Sequence, residues 1–193
     1  MKKLLGVLCL LMLMGCSSRN QAMDRAMEVR SRLLHGEGCR FVSRITADYG
    51  DTVHNFTLSS QGDSQGNITF TVEKPDTLSG ISGRVSDTGG QLTFDDAALQ
   101  FDLLTDRQLS PVSAPWIFLR TLRKGYLLSA GEEEGQIHLT ARDSYEEDSL
   151  FLDIFLGEGD LPVRAEILYR DRRILTLEIE NFQILGSGQD GAV

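Results

Sequence analysis

Histidine, tryptophan, proline and cysteine are scarce in this chain of 193 residues, which has three, one, four and three of them respectively. The histidines His35, His54 and His138 are scattered, and no metal-ligand spacing joins them to cysteine or carboxylate. The one pairing open to them is His54 with His138 across a sheet. No nucleophile elbow and no glycine-rich phosphate loop is present. These absences argue against an enzyme and call for neither metal nor cofactor. Asp95-Asp96 reads as a turn, and Asp63 with Asn67 lacks the further ligands of a calcium loop. Basic residues are also a minority: Lys+Arg number 19 against 28 Asp+Glu, a formal charge of −9. Nucleic acid is therefore excluded as a partner, since it requires a basic surface. Docking on anionic lipid through a basic patch is excluded for the same reason. No apolar run reaches the roughly 20 residues of a membrane-spanning helix.

An anchor of another kind is written into the first residues. Lys2 and Lys3 precede an apolar run from Leu4 to Met14 that ends in Leu13-Met14-Gly15-Cys16. This ending resembles the bacterial lipobox. The resemblance implies cleavage after residue 15 and a diacylglyceryl thioether on Cys16, with acyl chains such as palmitate. Two such chains give the stable anchoring that one cannot. The expected organisation is a signal peptide over 1–15, a lipidated tether over 16–20, one domain over 21–185 and a disordered tail over 186–193. Loss of Lys2 and Lys3 would leave 17 basic and 28 acidic residues, a charge of −11. Cys9 leaves with the signal and Cys16 carries lipid, so Cys39 stands alone without a disulfide partner. Four tether residues reach roughly 15 Å, which keeps the domain close to the membrane on the extracytoplasmic face.

Residues 21–35 have helical periodicity. Ala22, Met23, Ala26, Met27, Val29, Leu33 and Leu34 share one face, Arg30 intrudes on it, and Gly36 ends the run. From Cys39 the period becomes two, as in Phe41, Ser43, Ile45, Ala47 and Tyr49. Tight turns then divide the chain into about eleven short strands, including one over Thr105 to Val112. Clean alternation implies a sheet with one wet face, hence antiparallel, and a long open antiparallel sheet must curl or split. The exception is Ser113 to Lys124: Ser113 can cap, Pro115 fits a first turn, and Gly125 stops the helix. Pro115, Trp116, Phe118, Leu119 and Leu122 fall on one side of it, with Ile117 off that arc. Spacing alone allows two arrangements, a sheet curled around this helix or a crossover helix on a sandwich. The fold class is mainly β with two helices.

The order of elements adds a resemblance: lipobox, amphipathic helix, the strand Arg40-Phe-Val-Ser-Arg-Ile, a break at Lys74-Pro75, an Asp-Asp turn, the Pro-Trp-Ile-Phe-Leu helix and four closing strands. This looks like the LolA/LolB superfamily of lipoprotein carriers and receptors, with relatives of the LppX and MucB/RseB types. The resemblance spans about residues 22 to 184. It implies a curved antiparallel half-barrel covered by helices, with a concave apolar interior that takes acyl chains. Arg84 is the candidate for the arginine that holds the carrier's lid.

Lipid or acyl-chain binding by a membrane-anchored envelope protein is the first functional expectation. The residues expected to line its cavity are Phe41, Ile45, Phe70, Val72, Ile81, Val85, Phe94, Phe101, Trp116, Phe118, Leu122, Ile154, Ile167 and Leu177, and an acyl chain buried there gains about 0.8 kcal/mol per methylene. The alternative is a regulatory lipoprotein that holds an envelope protein partner on the same scaffold without a ligand. The acidic loops Glu132-Glu133-Glu134 and Glu146-Glu147-Asp148 would face such a partner.

Overall fold

A computed structural model describes residues 21–94, 97–101, 104–105, 108–170 and 172–186. The signal, the lipidated Cys16 and its tether, the Asp95-Asp96 turn and the tail beyond residue 186 lie outside the described residues.

The helix α1 covers residues 21–35. It is followed by β1 (Gly38–Asp48), β2 (Val53–Asp63), β3 (Ile68–Lys74), β4 (Ser82–Ser86), β5 (Gly89–Phe94) and β6 (Ala97–Phe101). A small hairpin, β7 (Leu104–Thr105) with β8 (Gln108–Leu109), leads through a 3-10 turn at Pro111–Ser113 into α2 (Ala114–Lys124). The strands β9 (Tyr126–Glu133), β10 (Gln136–Arg142), β11 (Phe151–Leu156), β12 (Pro162–Tyr169) and β13 (Arg172–Leu185) close the chain. The expected single strand over Thr105 to Val112 is therefore replaced by hairpin and 3-10 turn. Pro111 has no N–H to give to a ladder, so the run cannot continue as a paired strand.

Eleven strands form one antiparallel sheet in the order β6-β5-β4-β3-β2-β1-β13-β12-β11-β10-β9. Strands β1 to β6 are one meander and β9 to β13 a second. The two meet where β1 pairs with β13, Ile45 opposite Leu177 and Ala47 opposite Leu175. The ends β6 and β9 do not pair, so the sheet stays open. Alternation is as clean as the sequence suggests: Phe41, Ser43, Ile45 and Ala47 are buried, while Arg44, Thr46 and Asp48 face water.

Of the two arrangements, the sheet around the helix is the one found. From Ala114 to Leu119 every residue of α2 is buried, Ile117 included, as are Thr121, Leu122 and Arg123. A helix wet on one side would show an exposed stripe; this one has apolar surroundings nearly all round. Phe118 meets Phe41 edge-on at 5.9 Å and Phe182 at 6.3 Å, and Phe41 stacks on Phe182 at 5.3 Å. Fully burying each such side chain is worth about 1.5–3 kcal/mol.

Both helix ends are closed by side chains from elsewhere or by turns. Ser113 does not cap α2 with its side chain; its backbone is already helical and its hydroxyl donates to Ser110 O at 2.6 Å. At the other end Gly125 N–H donates to Thr121 O at 2.8 Å. The intruding Arg30 of α1 explains itself here, donating through Nε to Leu122 O at 2.8 Å and through a terminal nitrogen to Thr121 O at 3.3 Å. A guanidinium on the C-terminal carbonyls of a helix is favoured by hydrogen bonding and by the helix dipole. Arg123 reaches the opposite way, donating to Asp63 O at 3.0 Å and Ser64 O at 2.6 Å. Arg84, the expected lid-holder, instead stands on the outer face 3.7 Å from Asp63. Arg30 and Arg123 pin the helices.

The inner face of α1 is narrower than its periodicity suggests. Ala22, Ala26, Val29 and Leu33 are buried and Met23 is half-buried, but Met27 and Leu34 are largely exposed. Arg25 of the same helix pairs with Asp160, which ties α1 to the β11–β12 turn.

Candidate ligand-binding site

The sequence predicts an open concavity between helix and sheet. At its centre that space is filled by the protein's own side chains. Phe41, Ile45, Phe70, Val72, Val85, Phe118, Leu122, Ile154, Ile167 and Leu177 are all buried in one continuous core with α2. Ile81 precedes β4 and packs half-buried against the core, and Phe101 does the same at the far edge. Phe94 is on the predicted face yet 55% exposed, with Leu99 beside it at 65%. Its exposure has a geometric cause. An 11-residue helix is about 16 Å long, whereas eleven strands at about 4.8 Å spacing extend over roughly 48 Å. The helix cannot cover the β5–β6 edge.

Among the described residues, one predominantly apolar hollow remains, of about 270 Å³, at the N-terminal end of α2. Leu109, Trp116, Ile117, Leu150, Tyr169 and Ile174 form its walls. Of the residues expected to line a cavity, Trp116 alone borders it. Ile117 points into it because it lies off the arc that packs on the sheet. Leu109 arrives from β8 and is held by Tyr49, whose hydroxyl donates to Leu109 O at 2.6 Å. Leu109, Leu150 and Ile174 were not singled out by sequence reasoning, because they come from strand ends and a hairpin with no periodic signal of their own.

The rim is charged. Arg120 lies over the Trp116 ring at 5.3 Å and its Nε donates to Asp87 at 3.1 Å. Asp143 accepts from Leu150 N–H at 2.8 Å. Asp148 accepts from the Tyr169 hydroxyl at 3.1 Å and from Arg170 at 3.0 Å. Three carboxylates and Arg120 thus border an otherwise greasy opening. This arrangement suits an apolar chain whose polar end is neutral or carries positive charge, and disfavours a free carboxylate at the mouth.

No cluster of three or more metal-ligating side chains occurs among the described residues. His54 and His138 do not meet: His54 is exposed on β2 beside Tyr49, with ring centroids 6.1 Å apart. His138 lies on the outer face of β10, 2.9 Å from Asp153 and stacked on Phe155 at 4.7 Å. Cys39 is buried, and burial pushes its thiol up to about 11, so it is a protonated core residue. Asp63 is confirmed as a loop former, accepting from the Gln65 and Asn67 backbone N–H groups at 2.9 Å each. No helix among the described residues is long and apolar enough to cross a membrane.

No family model matches the chain, and no curated protein matches it. Solved structures of similar course exist. A LolA superfamily protein from Nitrosomonas europaea is 7% identical with a TM-score of 0.48, over 88% of this chain and 95% of that one. A putative outer membrane lipoprotein-sorting protein domain from Vibrio parahaemolyticus is 8% identical with a TM-score of 0.44, over 90% and 94%. The lipoprotein LppX of Mycobacterium tuberculosis is 11% identical with a TM-score of 0.41, over 82% and 94%.

Proposed function

We propose that the chain is an envelope lipoprotein, anchored through diacylglyceryl-Cys16, that takes a single acyl chain or similar apolar segment into the hollow beside Trp116. The observation that carries this reading is the hollow itself: a pocket walled by Leu109, Trp116, Ile117, Leu150 and Ile174, with its only polar groups at the mouth. Ligand sites commonly have this make-up, apolar walls with a few placed polar groups. At about 270 Å³ the volume suits one chain segment and not a whole lipid. The acidic rim selects a chain with a neutral or zwitterionic head, such as an esterified lipid or an acylated protein.

Trp116 is the only tryptophan, so its fluorescence reports directly on entry. With protein lacking residues 1–15 and carrying Cys16→Ser, dodecylphosphocholine below its micelle concentration should shift the emission saturably. Dodecanoate should do so more weakly. Absence of any saturable shift, together with no lipid retained in native mass spectrometry, would defeat the reading.

A second reading is favoured by the filled interior, in which Phe118, Leu119 and Leu122 occupy the concavity. On it the domain is a rigid scaffold that holds an envelope partner, using exposed acidic loops such as Glu132 to Glu134. Crosslinking from intact membranes should then recover one protein in stoichiometric amount, and that yield should fall when the three glutamates are changed to glutamine.

A further inference from the structure

A feature that acyl-chain binding leaves unused is on the opposite, outer face of the sheet. There a trough of about 640 Å³ crosses the strands β13, β1, β2, β3, β4 and β5. Strand register organises it into two walls. Along one, Gln183 of β13 stands opposite Arg40, Arg40 opposite Gln61, Gln61 opposite Thr69, Thr69 opposite Arg84 and Arg84 opposite Gln91. Along the other, Ser59, Thr71, Ser82 and Thr93 follow one another across β2 to β5. Long amide and guanidinium groups thus face a row of short hydroxyls, and the main chain of the row between them is the floor. The register shifts between Arg40 and Val42 and between Thr57 and Leu58 accentuate the local twist.

The electrostatics of the trough run against those of the molecule. In a chain of charge −9, its lining holds two arginines and no carboxylate. Asp63, 3.7 Å from Arg84, and Glu73, which accepts from the Ser59 hydroxyl, stand beside it without lining it. Arg40 donates through its Nε to the amide oxygen of Gln183 at 2.7 Å, a neutral partner. Arg40 and Arg84 are three strand spacings apart, about 14 Å. Beyond Arg84 and Gln91 the trough continues into a second polar hollow of about 740 Å³ along the β4–β5 turn, which those two residues also line. The trough is an open channel with polar side chains along both walls, suited to an extended ligand, and the adjoining hollow adds Asp87 at its far end.

A ligand that answers this surface carries many hydroxyls, to exchange hydrogen bonds with serine, threonine and glutamine, and anionic groups spaced along its length for the arginines. An apolar ligand would leave those polar groups unpaired. A nucleic acid would meet too few cations on too acidic a molecule. We propose that the trough binds an anionic glycan lying across the strands. It does so independently of the Trp116 hollow, on the other face of the sheet.

Isothermal titration calorimetry on the Cys16→Ser protein lacking residues 1–15 tests this with four probes. These are oligogalacturonate, 6-phosphorylated mannan oligosaccharide, dextran oligosaccharide of matched length, and a polyglutamate peptide. At least one of the two acidic glycans should bind about ten-fold more tightly than dextran and than polyglutamate. Arg40→Gln with Arg84→Gln should weaken that binding at least about ten-fold, the loss expected for even one charge-assisted contact. Both arginines are exposed, so the thermal melt and the Trp116 response to dodecylphosphocholine should be unchanged in this variant. Binding of neither acidic glycan, equal binding of dextran or polyglutamate, or a double variant as tight as the parent would each overturn the proposal.

Discussion

Cys39, Arg30 and Arg123 have functions a reader of the sequence would not guess from residue type. Cys39 is small, apolar and shut in under Gly62, and its thiol is held up at about 11 against 9.0 for a free group. A folded-state value above the unfolded one means stability is whole below about pH 9 and declines as pH rises through 11. That rise corresponds to at most about 3 kcal/mol. Urea melts at pH 8 and pH 11 should show this loss, and Cys39→Ala should reduce it. Arg30 interrupts the apolar face of α1 because it is needed on the carbonyls of α2. Burial lowers its pKa, and the two hydrogen bonds to backbone offset that desolvation. Arg30→Leu should cost about 1–2 kcal/mol by urea denaturation, the worth of charged hydrogen bonds less the apolar area gained. Arg30→Lys should recover only part, since a point ammonium cannot fork over two carbonyls.

At the scale of elements, α2 is what the sheet is built around. Leu122 is fully buried in it, and Leu122→Ala should destabilise by about 2–5 kcal/mol through lost burial and the cavity left behind. Gly125 is equally constrained, for a different reason: a Cβ would lie 2.6 Å from Thr121 O and 2.7 Å from Arg142 O. Both are main-chain atoms with little freedom to yield, so Gly125→Ala should lower stability by roughly 1–3 kcal/mol. Most of this element's character was readable beforehand. Pro115, Gly125 and the arc from Trp116 to Leu122 mark the helix, and period-two alternation marks strands such as β1 and β12. What could not be read were features set by distance in the chain. Ile117 lies off the packing arc, and only the arrival of Leu109, Leu150 and Ile174 from three other segments gives it a hollow to face. Phe94 obeys the strand period and still lies open, because exposure there depends on where α2 ends. The outer trough was invisible for a similar reason: Arg40 and Arg84 come into one row only through the pairing of β1, β2, β3 and β4.

At the scale of the whole molecule, the expected anchor decides where the other surfaces operate. Triton X-114 partition of cells expressing the full chain should place it in the detergent phase, and Cys16→Ser should move it to the aqueous phase. With residue 21 already in α1, only a few residues would separate lipid from fold, leaving the Trp116 hollow and the outer trough within reach of the envelope surface and little else. Holding two faces of one sheet so close to a membrane also demands a stiff body. The shared core of α2 and the strands on either side of the β1–β13 pairing meets that demand.

That pairing has a consequence for how such a molecule is made. Its opening strand waits in the middle of the ribbon for the final one, about 140 positions later. Until Arg172 to Leu185 has emerged, the two meanders are half-sheets, each with an unsatisfied inner border. A chain crossing a membrane from its N-terminus would stay unlocked through nearly its whole passage. The last segment delivered would then turn two loose flaps into one body, so the timing of its release is built into the topology.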